Sequence, residues 1–236
     1  MTDQYLAVFD WNSTLFDDFP ATFEATNECL KFFDVPPVTK EELQEKFTFP
    51  LIHFYEKAGV KVDEYLQYTQ ELSDIFHTRY NMLKHDCGLM KGAIKALDFC
   101  QSHNMHCIVL SNYNHDPLVE DVQRLGIAPY FETISGNENP EAITSGTNKL
   151  ERLQDYMHTH GFKPQQTFIV GDSHEEPQLA HQLNILGISI AGGLLSAARL
   201  EKYKKDAVIK TLDEIPAILQ QEWGLSDMGK TAKTIA

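Results

Sequence analysis

Basic residues are scarce in this chain. Its 236 residues carry 20 Lys and Arg against 34 Asp and Glu, a formal net charge of −14. Nucleic-acid backbones and anionic membrane surfaces are held mainly by clustered Lys and Arg, so this balance argues against a nucleic-acid module or a polybasic membrane anchor. Long apolar runs are missing too, and nothing approaches the roughly 20 consecutive apolar residues of a membrane span. Met1 to Phe9 has neither the basic flank nor the apolar length of a secretory signal, so a soluble, cytoplasmic protein is expected. The four cysteines, Cys29, Cys87, Cys100 and Cys107, form no Cys-x-x-Cys pair. Each sits in an apolar segment, the setting of a reduced buried thiol and not of a disulfide framework or a zinc site. Internal repeats and low-complexity runs are absent.

What is present is alternation. Apolar runs of strand length recur between amphipathic helical stretches, the pattern of a parallel sheet covered on both faces, hence a three-layer α/β core. Strands are expected at Tyr5 to Phe9, His106 to Leu110, Phe131 to Ser135, Thr167 to Val170, Gly187 to Ala191 and, weakly, Ala207 to Ile209. From Asp17 to about Gly88 the periodicity is helical only, in pieces around Ala21 to Phe33, Lys40 to Lys46, Leu51 to Ala58 and Val62 to Leu83. A crossover between parallel strands usually needs one helix, so this length reads as a small helical domain inserted after the first strand. Pro36-Pro37, Pro50 and Gly59 mark its internal turns. The expected division is a core of residues 1–16 plus 88–221, an insert of 17–87, and a loosely held tail of 222–236.

In an open parallel sheet, reactive groups collect beyond the carboxyl ends of the strands. Three such ends carry polar chemistry: Asp10-Trp11-Asn12-Ser13-Thr14, Ser111-Asn112, and Gly171-Asp172-Ser173-His174-Glu175-Glu176. Gly146-Thr147-Asn148-Lys149 opens the helix before the fourth strand. Taken singly, each has a plain structural reading. Asp10 can serve its own turn, Ser111 and Asn112 can open a helix, and Asp172 with Glu176 can be a cap followed by an acidic first turn. Taken together, a carboxylate, a hydroxyl with neighbouring amides, an ammonium and an acidic pair are the parts that phosphoryl transfer to an aspartate requires.

In these motifs the sequence resembles the haloacid dehalogenase superfamily of hydrolases, in the branch with a helical cap after the first strand, such as phosphoglycolate phosphatase-like enzymes. The likeness runs from about Tyr5 to Leu219. The family's Asp-x-Asp-x-Thr stands as Asp10 to Thr14, its Ser/Thr motif as Ser111, its Lys as Lys149, and its acidic motif as Asp172 and Glu176. The resemblance implies a Rossmann-like core with a cap, and a Mg2+-dependent hydrolase of small phosphomonoesters working as a monomer or homodimer. Asp10 is then the nucleophile that forms an aspartyl phosphate. Ser111, Asn112 and Lys149 bind the phosphoryl oxygens. Asp10, the Asn12 carbonyl and Asp172 hold Mg2+, with Glu176 or Ser173 orienting a bound water. The cap selects the leaving group, and Phe16, Phe19, Thr48, Phe49, Pro50, Leu51 and His53 are its candidate contacts.

Two positions depart from the family pattern: Asn12 replaces the usual second Asp, and Ser13 replaces the usual Gly. An amide cannot trade a proton at neutral pH, so a contribution of about 100-fold to 10,000-fold is missing unless another group supplies it. Asp17, Asp18, His115 and His174 are the nearby titratable groups. The departure keeps other readings open. The chain can be a slow phosphatase, one preferring good leaving groups such as acyl phosphates, or a binding or regulatory protein that keeps the fold without turnover. A phosphonate hydrolase needs a cap lysine, for which Lys31, Lys40, Lys46 and Lys57 are available. A metal-independent dehalogenase has no use for Asp172 and Glu176.

Overall fold

The computed structural model describes residues 4–48, 50–138 and 148–225. Six strands form one wholly parallel sheet: β1 (Leu6–Phe9), β2 (His106–Asn114), β3 (Thr133–Asn137), β4 (Thr167–Gly171), β5 (Leu186–Ile190) and β6 (Ala207–Ile209). Their order is β3-β2-β1-β4-β5-β6, with β1 between β2 and β4. The order reverses at β1, so the crevice past its carboxyl end is the place for a ligand. Among the described residues six core helices cover the sheet: α6 (Ala93–Ser102), α7 (His115–Arg124), α8 (Lys149–His160), α9 (Glu175–Leu183), α10 (Ala197–Tyr203) and α11 (Ile215–Trp223). Side chains alternate along β1, as the two-residue strand period demands. Ala7 and Phe9 pack with Ala96 and Leu97 of α6, Leu118 of α7 and Leu219 of α11. Leu6 and Val8 face the other way, onto Leu153 of α8 and Leu179 of α9. The result is the three-layer core that the alternation predicts.

All six expected strands are present, with shifts at their ends. β2 continues through Ser111 to Asn114, where apolar patterning stops, because Asn114 pairs with Asn137 after an irregularity in register. β3 correspondingly starts later and ends later than Phe131 to Ser135. The carboxyl tail begins in ordered helix, since α11 runs to Trp223, whose ring stacks on Tyr5 at 4.9 Å. Residues 226–236 lie outside the described residues, as do Phe49, Gly146 and Thr147.

Between β1 and β2 the chain is helical: α1 (Phe19–Phe32), α2 (Lys40–Lys46), α3 (Leu51–Ala58), α4 (Val62–Gln67) and α5 (Thr69–Leu83). The expected single helix Val62 to Leu83 is two, because Tyr68 leaves helical geometry at φ −117°, ψ 27°. α1 starts earlier than expected, at Phe19, with Pro20 in the first turn where its missing N–H costs nothing. Thr39 and Glu42 close a reciprocal capping box on α2. The insert has its own apolar centre, including Leu30, Leu43, Phe54 and Leu72, which is continuous with Leu195 and Leu200 of the core.

The insert is docked at two places. At its base, the two crossing segments bond to each other: Asp17 N donates to Gly88 O at 3.0 Å and Met90 N to Leu15 O at 2.9 Å. At its tip, the Arg199 guanidinium donates to the carbonyls of Gln44 and Phe47, each at 2.7 Å, and Gln44 Nε2 donates to Gly193 O at 2.8 Å. Those two carbonyls belong to the end of α2, where helix geometry leaves acceptors unpaired. Arg199→Ala is expected to remove about 2–3 kcal/mol of tip docking, the scale of hydrogen bonds to a charged donor. Hydrogen exchange of the Leu43 and Phe47 amides reads this directly. Unchanged protection in the variant contradicts it.

Candidate active site

Asp10 follows β1 directly, and its own N–H continues the ladder to Val170 O at 2.9 Å. Lys149, the first residue of α8, comes to it from 139 positions away, with Nζ 2.7 Å from Asp10 Oδ1 and 2.7 Å from Glu176 Oε1. A cation at a helix amino terminus opposes the helix dipole, so nothing local favours a lysine there; its partners are the carboxylates. Glu175 Oε2 is a third partner at 3.3 Å and also accepts from Asn112 Nδ2 at 2.8 Å. This Asn112–Glu175–Lys149–Asp10 chain connects the ends of β2, β4 and β1. Thr14 Oγ1 donates to the other oxygen of Asp10 at 3.1 Å, so both nucleophile oxygens are oriented.

Asp172 follows β4, and its Oδ2 accepts from the Leu194 N–H at 2.9 Å. Gly193 allows that approach, because a Cβ there meets the Asp172 carboxylate and Ser13 Cβ. Glu176 is fully engaged: Oε1 by Lys149, and Oε2 by Ser173 Oγ at 2.8 Å and Ser173 N at 3.3 Å. Ser111 is buried, and its Oγ accepts from Tyr113 N at 3.0 Å. Arg152, which the sequence did not single out, donates to Ser111 O at 2.8 Å and Gly136 O at 2.7 Å, tying the ends of β2 and β3 together.

The electrostatics are uneven. Three carboxyl groups, Asp10, Glu175 and Glu176, surround one ammonium, and Asp172 adds a fourth near Asp10. Asp10 is pushed up to about 6, first by burial and then by Glu176, with Lys149 pulling the other way. Asp172 is driven well above the carboxylate range by burial first, then by the charge of Asp10, and Leu194 N–H only partly offsets this. Burial also works against the charge of Glu176, but Lys149 and Ser173 outweigh it and hold its carboxyl below the usual value. For Lys149 burial again opposes the charge, and Asp10, Glu176 and Glu175 keep it protonated. The Asp10–Asp172 side is therefore where the ionised form of a carboxyl is least favoured without an added cation.

Asn12 and Ser13 bend away from Asp10 toward the insert. Ser13 sits in the left-handed region at φ 54°, which explains the preference for glycine there and costs a non-glycine residue roughly 1–2 kcal/mol. Its N–H is held by Asp18 Oδ1 at 2.8 Å, which offsets part of that cost. Asn12 Nδ2 donates to Asp18 Oδ2 at 2.7 Å and to Tyr80 OH at 3.1 Å, while Tyr80 OH donates to Asp18 Oδ2 at 2.6 Å. Asp17 is exposed and Asp18 is 0% exposed, so of the two it is Asp18 that belongs to the site wall.

Other candidates fall away from the chemistry. Phe16 stacks on Trp11 at 5.3 Å within the core, and Phe19 is buried in the insert's own centre. Leu51 packs against that centre too, Pro50 and His53 are exposed, and Thr48 is half-buried. Lys31, Lys40 and Lys57 are exposed; Lys46 is half-buried and lies 3.9 Å from Glu42. The buried lysine near the insert's base is Lys84, paired with Asp121 at 2.8 Å and Tyr113 OH at 3.2 Å. Burial opposes its charge, but those partners keep it protonated, which is unsuited to forming an imine. His174 lies against the Tyr203 ring at 5.7 Å, and His115 opens α7.

A parallel sheet reversing at β1, with Asp, Lys and acidic side chains converging at its carboxyl end, defines a Rossmann-like hydrolase core. The family described as haloacid dehalogenase-like hydrolase matches residues 7–190, and the chain belongs to that family of enzymes. It is 22% identical over 218 residues to the pyrophosphatase PpaX of Oceanobacillus iheyensis, covering 90% of this chain and 95% of that one. Among solved structures, a haloacid dehalogenase-like hydrolase from Streptococcus pneumoniae superposes with a TM-score of 0.74 at 22% identity, over 93% of this chain and all of that one. A predicted phosphoglycolate phosphatase from Haemophilus somnus gives 0.70 at 18% identity, with the same coverage.

Proposed function

We propose that the chain is a Mg2+-dependent phosphatase of small phosphorylated metabolites that works through an aspartyl phosphate on Asp10. The observation that carries this reading is the buried Lys149 ammonium held between Asp10 and Glu176, with Asp172 opposite. The residues fit a hard cation. Among the described residues no three His, Cys, Asp or Glu side chains cluster as a ready metal cage. Mg2+, however, needs only one or two carboxylates and keeps its waters. Asp10, Asp172 and the Asn12 carbonyl would hold it, and Glu176, spent on Lys149 and Ser173, would act from the outer sphere. Buried Glu175 Oε1 has no hydrogen-bond partner among the described residues, as expected of a site short of positive charge. When bound, the cation would supply positive charge against the phosphoryl oxygens.

The chain's own residues supply the rest. Thr14 and Lys149 aim the Asp10 carboxylate, whose oxygen attacks phosphorus while the leaving oxygen takes the P–O electron pair. Ser111, the Asn112 amide and Lys149 hold the equatorial oxygens. Water then displaces the Asp10 carboxylate from phosphorus and releases phosphate. We read residues 17–87 as a cap over the 1–16 plus 88–221 core. Asp10, Lys149, Asp172 and Glu176 are all at most 7% exposed, so the docked insert excludes water and must open for substrate. Four free thiols accord with a reducing compartment, and we read the protein as cytoplasmic. Among the described residues no helix is long and apolar enough to cross a membrane. The likeness to a pyrophosphatase puts phosphoanhydrides among the substrates to try. A phosphate-release screen over small phosphorylated metabolites, with and without Mg2+ and with Asp10→Asn as blank, tests the reading. Release at equal rates by protein and blank overturns it.

Cation binding is expected to depend on pH. Without a cation the Asp10 carboxyl is raised from 3.8 to about 6, so between these values the unfolded chain has shed a proton the folded chain keeps. The stability this group contributes is complete below 3.8 and lost as pH rises to about 6. Mg2+ takes the ionised form and displaces that proton. Its stabilisation, read as the rise in Tm, is therefore expected to be larger at pH 7.5 than at pH 5; an equal rise at both contradicts the assignment.

A further inference from the structure

The Asn12 side chain has only one way to sit. Asp18, 0% exposed, has three donors aimed at its two carboxyl oxygens: the Asn12 amide, the Ser13 N–H and the Tyr80 hydroxyl. Tyr80, 2% exposed, spends its proton on Asp18 and offers its lone pair to the second Asn12 N–H. Both amide hydrogens are consumed in a direction away from substrate, and flipping the amide would set its carbonyl against a carboxylate. What remains at position 12 is Oδ1, an acceptor without a proton. It can neither protonate a departing oxygen nor donate a hydrogen bond to it. Asp18 and Tyr80 are positioning residues for that acceptor.

The consequence concerns the bond that breaks. When Asp10 forms its O–P bond, the leaving oxygen departs with the electron pair of the old one. An alkoxide, about as strong a base as hydroxide, needs a proton at that moment. A carboxylate or a phosphate leaves as an anion and does not. Resting on the phosphatase reading above, we infer that this chain's substrates are acyl phosphates and phosphoanhydrides, whose leaving groups depart unprotonated, and that alkyl phosphomonoesters are poor substrates because Asp18 and Tyr80 lock Asn12 as a bare acceptor. In the second step water displaces the Asp10 carboxylate from phosphorus, and its proton ends on the released phosphate or in solvent. That step is common to all substrates, so the selectivity lies in kcat/KM.

The test is a leaving-group series on the full chain with Mg2+: acetyl phosphate, pyrophosphate, aryl phosphates of graded acidity and glycerol 3-phosphate, each corrected with the Asp10→Asn blank. Expected is a kcat/KM for acetyl phosphate at least about 100-fold above that for glycerol 3-phosphate, the scale of one positioned acid, with a steep decline across the aryl series. The exchange Asn12→Asp with Asp18→Asn returns a carboxyl to position 12 and leaves one carboxylate in the network. It is expected to raise kcat/KM for glycerol 3-phosphate by about 100-fold and so to narrow the ratio of acetyl phosphate to glycerol 3-phosphate, whatever it does to the step that all substrates share. A purely structural role for the network would change all substrates alike. Alkyl and acyl phosphates cleaved within tenfold of each other by the native chain overturn the inference while leaving the phosphatase reading intact. No hydrolysis of any substrate above the blank overturns both. Should the exchange variant fail to fold, the native series decides alone.

Discussion

Asp10→Asn is expected to lose phosphate release by about 10,000-fold or more, the scale on which enzymes lose turnover with their nucleophile. The substitution is nearly isosteric, and the protein should stay folded. Asp10 is a buried carboxylate whose ionised form is disfavoured by its surroundings, so an uncharged amide relieves repulsion on Asp172 instead of adding any. Activity and stability therefore separate in this variant. The measurement pairs phosphate release from acetyl phosphate with a thermal melt. A variant that melts like the native protein yet retains more than a tenth of its activity would remove Asp10 from the chemistry.

Lys149→Met is expected to cost stability as well as activity. Its ammonium is 3% exposed and is shared by Asp10, Glu176 and Glu175. Removing one partner of a buried ion pair leaves uncompensated charge and typically costs about 3–5 kcal/mol. For a chain of this length each kcal/mol lowers Tm by roughly 2–4 °C, so a fall on the order of 10 °C is expected. The sign with pH follows from Glu176. Lys149 holds its folded carboxyl below the ordinary value, so the stability it contributes is present above about 4.5 and is lost as pH falls through the lowered folded value. Without Lys149 that contribution disappears, and the gap between variant and native protein should close as pH falls below about 4.5. Melts across pH 4 to 8 check this; a gap that widens in acid would place the lysine's role elsewhere.

The parts of the site that strand ends carry were legible in the sequence. Asp10, Ser111 and Asp172 follow runs of apolar residues whose period and length mark buried parallel strands, and the polar residue that ends such a run falls in the crevice. Lys149 was legible only through its family motif, since its neighbours suggest no more than a helix start. Thr14 and Glu175 stood within their motifs without a role of their own; the structure gives Thr14 a bond to Asp10 and sets Glu175 between Asn112 and Lys149. Asp18 with Tyr80 was the least legible pair. They are 62 positions apart, and whether a carboxylate at an insert's edge faces water or Asn12 is decided by where α5 returns. Boundaries slipped where polar residues continue a strand, as at Ser111 to Asn114, because β-propensity is weak there and pairing with β3 decides.

The base of the insert carries a mechanical consequence. Its outgoing and returning segments are fastened to each other by the Asp17–Gly88 and Leu15–Met90 bonds, and Arg124 braces the return through the carbonyls of Lys84 and His85. Two connectors joined in this way cannot twist independently, so a displacement of either one carries the other with it. On the phosphatase reading, any opening of the lobe would therefore turn both strands of its hinge at once.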